Sequence, residues 1–144
     1  VSIEINETEM FLNAVGMRES SNRYTVVNKW GYMGKYQFGK RTLKNLGYDV
    51  SRKEFLNSPH LQEMAMLDLL EHNRRILSSY INTYSGTMID GVEITESGIL
   101  AAAHLAGPGN VKRYFKKGKQ FKDGNGTKLT SYLTNFSGYA LNLK

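Results

Sequence analysis

The sequence predicts one mainly α-helical domain spanning residues 1–144, and three observations lead to this prediction. Apolar residues recur at the three- and four-residue spacing of amphipathic helices in several segments. Capping residues and glycines stand at the ends of those segments. The chain has 144 residues, a length that fits one domain, and 40% apolar residues are enough to build a core.

The N-terminal part predicts a helix followed by a loop. Over Glu7–Arg18, apolar side chains share one helical face. Residues 19–39 contain glycines and asparagines, with four aromatic residues interleaved from Tyr24 to Tyr36, which favours a structured loop with or without a short β-hairpin. Within that loop we expect Trp30 to pack onto the neighbouring helices.

The middle of the chain predicts two further helices. Arg41–Leu46 reads as a short helix, and Gly47 stands where a helix commonly ends. Ser58 and Pro59 are an N-cap and a first-turn proline, so a long helix, deeply buried in its first half, should begin there and run to about Tyr84.

The last third predicts three more helices separated by turns. Asp90-Gly91 marks a turn, and the almost purely apolar Gly98–Ala106, capped by Thr95 or Ser97, should cross the core. A basic helix follows Gly107-Pro108-Gly109 over Asn110–Lys117. The composition of Asp123–Thr127 resembles a calcium loop, but its spacing favours a turn before a final helix over Leu129–Phe136.

Charge and composition narrow the function classes. The net charge is +6, which favours an anionic partner such as nucleic acid, a membrane surface or a bacterial cell wall. The absence of cysteine excludes disulfides, thiol chemistry and Cys-ligated metals. No apolar run approaches the roughly 20 residues that span a bilayer, so we expect no membrane span and no targeting signal within this chain.

Glu19 is the strongest candidate for chemistry. It closes the first helix and opens the Gly/Asn-rich loop. The partial negative charge of a helix C-terminus disfavours an ionised carboxylate, and this favours the protonated form that a general acid needs.

Three segments in a fixed order carry a family resemblance. They are Glu19-Ser20-Ser21-Asn22, then Gly31-Tyr32-Met33-Gly34-Lys35-Tyr36-Gln37-Phe38, and later Ala102 to Val111. The order resembles the soluble lytic transglycosylases of the lysozyme-like superfamily, which includes the goose-type lysozymes. The family has a Glu-Ser pair at a helix end, a Gly-x-Met-Gly-x-x-Gln-apolar loop and an Ala-Tyr-Asn-Ala-Gly-Pro-Gly segment.

The resemblance implies a lysozyme-like α-helical domain, with a small loop or β-hairpin lobe beside an active-site cleft. It implies cleavage of peptidoglycan glycan strands by one carboxylate, Glu19, without metal or cofactor. The residues that we expect to line the cleft are Ser20, Met33, Tyr36, Gln37, His104 and Tyr132, with Tyr132 preferred over Tyr139 because a helix places it. We expect a monomer that acts on the cell wall, from the periplasm, from outside the cell or delivered by a phage.

The chain departs from the family pattern at His104, where the family has Tyr, and at Leu105, where it has Asn. Leu105 cannot hydrogen-bond a sugar, so one family contact is missing or comes from elsewhere. These departures leave open an inactive glycan-binding or phage-structural domain.

A second carboxylate would change the reaction. Ordinary glycosidases use two carboxyl groups, and the candidates for the second one are Asp49, Asp90, Glu93 and Glu96. If one of them orients a water molecule, the enzyme is a hydrolytic lysozyme that cuts the same bond.

Metal binding and nucleic-acid binding fit the sequence less well than glycan cleavage does. The three histidines form no metal-binding motif, so we expect no metal site. The basic and aromatic run over residues 112–122 could attract nucleic acid, but no nucleic-acid-binding motif accompanies it, and we expect none to bind.

Overall fold

The computed structural model describes residues 6–143, and this part of the chain is mainly α-helical, as predicted. In chain order the elements are α1 (Glu7–Ser20), α2 (Lys40–Asn45), α3 (Arg52–Leu56), α4 (Pro59–Ile76), α5 (Ser78–Tyr84), β1 (Met88–Ile89), β2 (Val92–Glu93), α6 (Glu96–Ala106), α7 (Pro108–Lys117) and α8 (Leu129–Asn135). No helix within residues 6–143 is long and apolar enough to cross a membrane.

Local capping explains where several helices begin and end. The Ser58 hydroxyl accepts a hydrogen bond from the Leu61 N–H at 3.2 Å, and α4 starts at Pro59 as predicted. Thr95, not Ser97, caps α6, because its side chain accepts from the Gly98 N–H. Gly47 follows α2 with φ +90°, a conformation that is easy for glycine only.

Two helical predictions need correction. The helix predicted to run to Tyr84 is interrupted at Leu77, whose ψ of 9° departs from helical geometry, and the chain continues as α5. Helix α3 was not predicted. Ser51 and Glu54 form a reciprocal capping box there, a Ser-x-x-Glu pattern that is visible in the sequence.

Of the loop and the β-hairpin that the sequence left open within residues 19–39, the structure has the loop. That segment holds only isolated bridges, from Val27 to Met33 and from Met33 to Phe38. Among residues 6–143 the regular strands are β1 and β2, an antiparallel pair. They are joined by the predicted Asp90-Gly91 turn, where both residues have positive φ, as a tight hairpin turn requires.

The chain divides into two compact units. We call residues 12–69 the loop unit, and residues 6–11 with 70–143 the helical unit. The boundaries fall inside α1 and α4. The expectation of a single domain stays a prediction.

The core of the helical unit is built around α6. Residues 97–103 of this helix are buried, and α6 packs against α7 and α8. The approach to α8 is close, since a Cβ added at Gly98 would lie 2.6 Å from the Leu133 carbonyl oxygen. A glycine is therefore needed at this crossing.

In the loop unit, the apolar core lies beneath the loop over residues 19–39. The rings of Phe38 and Phe55 meet edge to face with centroids 5.8 Å apart, and both are buried. Leu43 of α2 and Met66 of α4 are buried in the same unit. The loop over residues 19–39 thus rests on a formed apolar layer.

Candidate active site

Glu19 stands in the last turn of α1 and is partly exposed. The chain leaves the helix immediately afterwards through Ser21 and Asn22, which both have positive φ, near +58°. This left-handed exit is uncommon for residues other than glycine, although asparagine tolerates it. It ends the helix sharply, so that Glu19 stands at the boundary between helix and loop.

The hydroxyl of Ser20 joins the end of α1 to the loop. It donates to the Lys35 carbonyl oxygen at 2.7 Å and accepts from the Arg23 N–H at 3.0 Å. Arg23 returns a bond from its Nε to the Ser20 carbonyl oxygen at 2.8 Å, which satisfies a helix-terminal carbonyl. Ser20 therefore fixes the position of Glu19 relative to the loop, and its burial leaves the hydroxyl little surface for a ligand.

The segment from Met33 to Phe38 forms a tight turn. The backbones of Met33 and Phe38 exchange two hydrogen bonds, at 2.9 and 2.8 Å. Gly34 and Gln37 both have positive φ, which for Gln37 is a strained conformation. The Gln37 side-chain amide donates back to the Gly34 carbonyl oxygen at 2.9 Å and stays partly exposed. Gln37 remains a candidate for a substrate contact.

A buried glutamine of α4 holds this turn in place. Gln62 Oε1 accepts from the Lys35 N–H at 2.9 Å, and its Nε2 donates to the carbonyl oxygens of Tyr24 and Phe55. A Cβ at Gly34 would collide with the Gln62 amide. The glycine at position 34 is thus required by the positive φ and by the neighbouring side chain together.

The structure reveals a polar cluster that the sequence analysis missed. Glu63 of α4 accepts three hydrogen bonds, which come from Lys35 Nζ at 2.8 Å, from the Tyr24 hydroxyl at 2.6 Å and from the Tyr36 hydroxyl at 2.5 Å. Lys35 is only 6% exposed. We call these four residues the Glu63 cluster. It ties the loop to α4 through an ion pair between the buried Lys35 and the partly exposed Glu63.

Burial and hydrogen bonds in the Glu63 cluster shift the pKa values of Glu63, Tyr24 and Tyr36. Burial raises the pKa of Glu63, but the hydrogen bonds from Lys35, Tyr24 and Tyr36 outweigh burial, and the net pKa lies below the ordinary 4.5. The hydrogen bond to Glu63, with burial and the charge of Glu63, raises the pKa of Tyr24 to about 12. Burial, and then the bond to Glu63, raise the pKa of Tyr36. At neutral pH Glu63 is an ionised acceptor that suits holding the loop, not donating a proton.

Several predicted cleft residues lie deeper than expected. Tyr36 has 0% exposure and its hydroxyl is used by Glu63, so direct contact with a glycan is not available to it in this structure. Its Gly-rich, aromatic surroundings in the sequence gave no hint of the partner on α4. Met33 is also buried, beneath the turn that it helps to close. Both residues support the loop from inside.

The remaining two predicted residues belong to the helical unit. His104 lies in the last turn of α6 and is partly exposed. Tyr132 lies on α8, is buried and packs its ring edge to face on Phe136 at 5.0 Å. The Tyr139 ring packs against Phe11. A role for His104 or Tyr132 in binding stays a prediction.

Trp30 corrects the expectation that it packs onto the helices. It is 49% exposed, and Tyr32, two residues later, is 45% exposed. Asn28 explains why both project outward, since its side-chain oxygen accepts from the backbone N–H groups of Trp30 and Tyr32, both at 2.9 Å. The two rings therefore stand on a fixed turn.

The candidate second carboxylates occupy varied positions. Asp49 is exposed and follows α2, Asp90 forms the hairpin turn, Glu93 is exposed on β2, and Glu96 starts α6. Over residues 6–143 no group of three or more His, Asp or Glu side chains is placed to hold a metal ion.

Comparisons of the chain with protein-family models, with curated proteins and with solved structures find no match.

Proposed function

We propose that this chain has a lysozyme-like fold and cleaves the glycan strands of peptidoglycan as a lytic transglycosylase, with Glu19 as the single acid and base. One observation carries the proposal. The Ser20 hydroxyl, bonded to the Lys35 carbonyl oxygen, joins the Glu19–Asn22 segment to the Gly31–Phe38 segment. These are two of the three segments on which the family resemblance rests, and they are 15 residues apart at this bond.

The proposed reaction needs one carboxyl group. Protonated Glu19 donates its proton to the glycosidic oxygen between N-acetylmuramic acid and N-acetylglucosamine, and that bond breaks. The acetamido group of the muramic acid stabilises the developing oxocarbenium charge. The Glu19 carboxylate then removes the proton of the muramic 6-hydroxyl, whose oxygen attacks C1 and closes a 1,6-anhydro ring. The partial exposure of Glu19 leaves its carboxyl group accessible to a substrate, which supports this role.

Glu63 is not a competing acid. Both of its oxygens already accept hydrogen bonds, and its pKa lies below the ordinary value, so it does not hold a proton at neutral pH. Its charge is balanced by Lys35 within the loop unit. In the proposal Glu63 holds the loop in shape while Glu19 performs the chemistry.

The net charge of the chain supports a cell-wall substrate. A charge of +6 attracts anionic polymers over a distance without requiring a particular geometry. The proposed place of action is therefore the cell wall, with peptidoglycan strands as partner and with no cofactor.

The experiment compares the wild-type chain with Glu19→Gln on suspensions of purified cell walls. Glu9→Gln is the matched control, because Glu9 is an exposed carboxylate on the same helix. We expect wild type and Glu9→Gln to clear the suspension, and Glu19→Gln to be slower by at least about 100-fold, the range typical of a general acid. If all three proteins pellet with the walls and none clears them, the chain is a binding domain and the proposal is wrong.

A further inference from the structure

The loop unit contains a pocket that the proposed reaction does not use. It has a volume of about 840 Å³, within the range of roughly 300–1,000 Å³ usual for small-ligand sites. It opens between Gly31 and Met33 on one side, α2 on another, and the segment from Gly47 to Arg52. All of its lining residues belong to the loop unit.

The lining is apolar inside and cationic at the rim. Met33 and Leu43 are buried side chains that form part of the wall, with Val50 beside them. Lys40, Lys44 and Arg52 contribute three positive charges, against one negative charge from Asp49, and all four are exposed. The pocket therefore suits a ligand that has small apolar groups and more than one anionic group.

Arg52 is placed to recognise a carboxylate. Its Nη2 lies 3.6 Å from the position that a Cβ would take at Gly31. The guanidinium thus lies over the Gly31 backbone, where no side chain intervenes. An arginine fork binds a planar carboxylate through two parallel hydrogen bonds, which a lysine cannot do.

Two exposed aromatic residues are sequence neighbours of Gly31, which lines the pocket. Trp30 and Tyr32 flank Gly31, and Asn28 fixes the backbone of both. The Tyr32 ring lies close to Gly39, where an added Cβ would be 3.0 Å from its Cε1 atom. Flat aromatic faces are suited to the apolar face of a sugar ring.

Tyr48 forms part of the pocket wall, and its side chain is hydrogen-bonded to a residue of α4. The Tyr48 hydroxyl donates to Asp68 Oδ2. Burial, and then this hydrogen bond, raise the pKa of Tyr48 to about 12, so the phenol is neutral at neutral pH. Tyr48 therefore adds no negative charge to the pocket near neutrality.

We propose that this pocket binds the short acidic peptide that branches from the muramic acid of peptidoglycan, an inference that rests on the proposed function. Peptide carboxylates contact Arg52 and the two lysines, and a small peptide side chain lies against the partly exposed Val50 at the apolar wall. Asp49 accepts from the ammonium group of a diamino residue, and the rings of Trp30 and Tyr32 contact the sugar that bears the peptide.

The test measures binding, not cleavage. The probes are the disaccharide of N-acetylglucosamine β-1,4-linked to N-acetylmuramic acid carrying a tetrapeptide, and the same disaccharide without the peptide. Neither contains the bond that the enzyme is proposed to cut. We expect titration calorimetry on the full chain to give at least about tenfold tighter binding of the peptide form. Equal affinity for the two probes would overturn the proposal.

Substitutions locate the binding to the pocket. We expect Arg52→Gln to lose about tenfold in affinity for the peptide form, and Arg52→Lys to lose part of this because it keeps the charge without the fork. Lys53→Gln, which removes an exposed charge from the same helix outside the pocket lining, is the matched control and should bind like wild type. An equal loss in Lys53→Gln would mean that net charge, and not the pocket, binds the peptide.

A third probe tests whether the pocket prefers phosphate groups to peptide carboxylates. Poly(glycerol phosphate) presents the phosphates of cell-wall teichoic polymers without any peptide. If it binds more tightly than the peptide form and depends on Arg52, the pocket is a phosphate site and the peptide assignment is wrong.

Failure of this inference and failure of the proposed function give different results. If the chain releases anhydro products but binds both disaccharides equally, only the pocket assignment fails. If the chain clears no cell walls yet binds the peptide form through Arg52, the cleavage activity fails and the pocket assignment stands.

Discussion

The loop unit and the helical unit differ in the kind of contact that stabilises each of them internally. In the loop unit, Ser20, Lys35 and Gln62 are buried and hydrogen-bonded to the backbone or to Glu63. In the helical unit the centre is the apolar helix α6, whose residues 99–103 are all Ile, Leu or Ala. The first unit therefore depends on specific polar partners, and the second depends on volume and shape.

The reason for this difference is the backbone. A helix satisfies its own N–H and C=O groups, so α6 can be surrounded by apolar side chains alone. The segment over residues 19–39 has only isolated bridges and must find other partners for its backbone groups. Ser20 and Gln62 supply four such partners from their side chains.

Glu63→Gln gives the largest expected effect on stability in the loop unit. The glutamine amide has nearly the same shape as the Glu63 carboxylate but carries no charge. The buried Lys35 ammonium group then has no opposite charge beside it. We expect the free energy of unfolding to fall by about 3–5 kcal/mol in urea titrations. The control is Glu71→Gln, which breaks the exposed Glu71–Arg75 pair on the same helix and should cost less than about 0.5 kcal/mol. Equal losses in the two variants would show that the Glu63 cluster is not what holds the loop unit.

Leu100→Ala probes the helical unit in the same way. Leu100 is fully buried on α6, and removing three carbons leaves a cavity among apolar neighbours. We expect a loss of about 2–5 kcal/mol by urea or thermal unfolding. Leu67→Ala is the matched control on an exposed leucine and should stay within about 0.5 kcal/mol of wild type. A small effect at Leu100 would contradict the assignment of α6 as the core of this unit.

Ser20→Ala and Ser97→Ala separate stability from activity. Both hydroxyls are buried, donate to a backbone carbonyl oxygen and accept from a backbone N–H, Ser97 bonding to Phe136 and Tyr139. Each substitution should therefore cost about 1–3 kcal/mol. Only Ser20 is next to Glu19, so only Ser20→Ala should also lower the rate of wall clearance, by about 10- to 100-fold, at a temperature where both variants are folded. Equal rates in the two variants would mean that the Ser20 link does not position Glu19.

The smallest expected effect is the pH dependence of stability in the loop unit. The folded-state pKa of Tyr24 and of Tyr48 is about 12, against an ordinary 10.0. Above pH 10 the unfolded chain releases these protons while the folded chain keeps them, so stability falls as pH rises from 10 to 12. Melting temperatures of wild type should decline through this interval, and more steeply than those of Tyr24→Phe. Parallel curves for the two proteins would contradict a role for Tyr24 in this decline.

Local signals in the sequence predicted most of the helices. Ser58 and Pro59 act on backbone groups within three residues, so the start of α4 could be predicted directly. The Asp90-Gly91 and Asp123–Thr127 turns were predicted for the same reason, since the Asp123 carboxylate accepts from the N–H groups of Asn125 and Thr127. For α6 the sequence left the cap open between Thr95 and Ser97 and began the helix at Gly98, two residues after its observed start at Glu96. Helix α3 was missed although its capping box is equally local.

The arrangement around Glu19 could be predicted only in part. The motif order placed Glu19, Ser20 and Gln37 in one loop region, but it did not reveal that Ser20 acts through the Lys35 carbonyl. The Lys35–Glu63 pair joins residues 28 positions apart, and no periodicity or motif indicates such a contact. The environment of Tyr36 was not predictable for the same reason, because the partner of its hydroxyl is a carboxylate of α4. Trp30 was misjudged because its exposure depends on the Asn28 turn.

The chemistry of the new glycan ends tests the central claim most directly. Cell walls digested with the wild-type chain should yield muropeptides with 1,6-anhydromuramic ends in mass spectra, and Glu19→Gln should yield none above the level of undigested walls. The anhydro form is lighter than the reducing form by one water, which is the molecule that a single-carboxylate mechanism excludes. Reducing muramic ends from the wild-type chain would contradict the account, because they require an attacking water and make the chain a hydrolytic lysozyme.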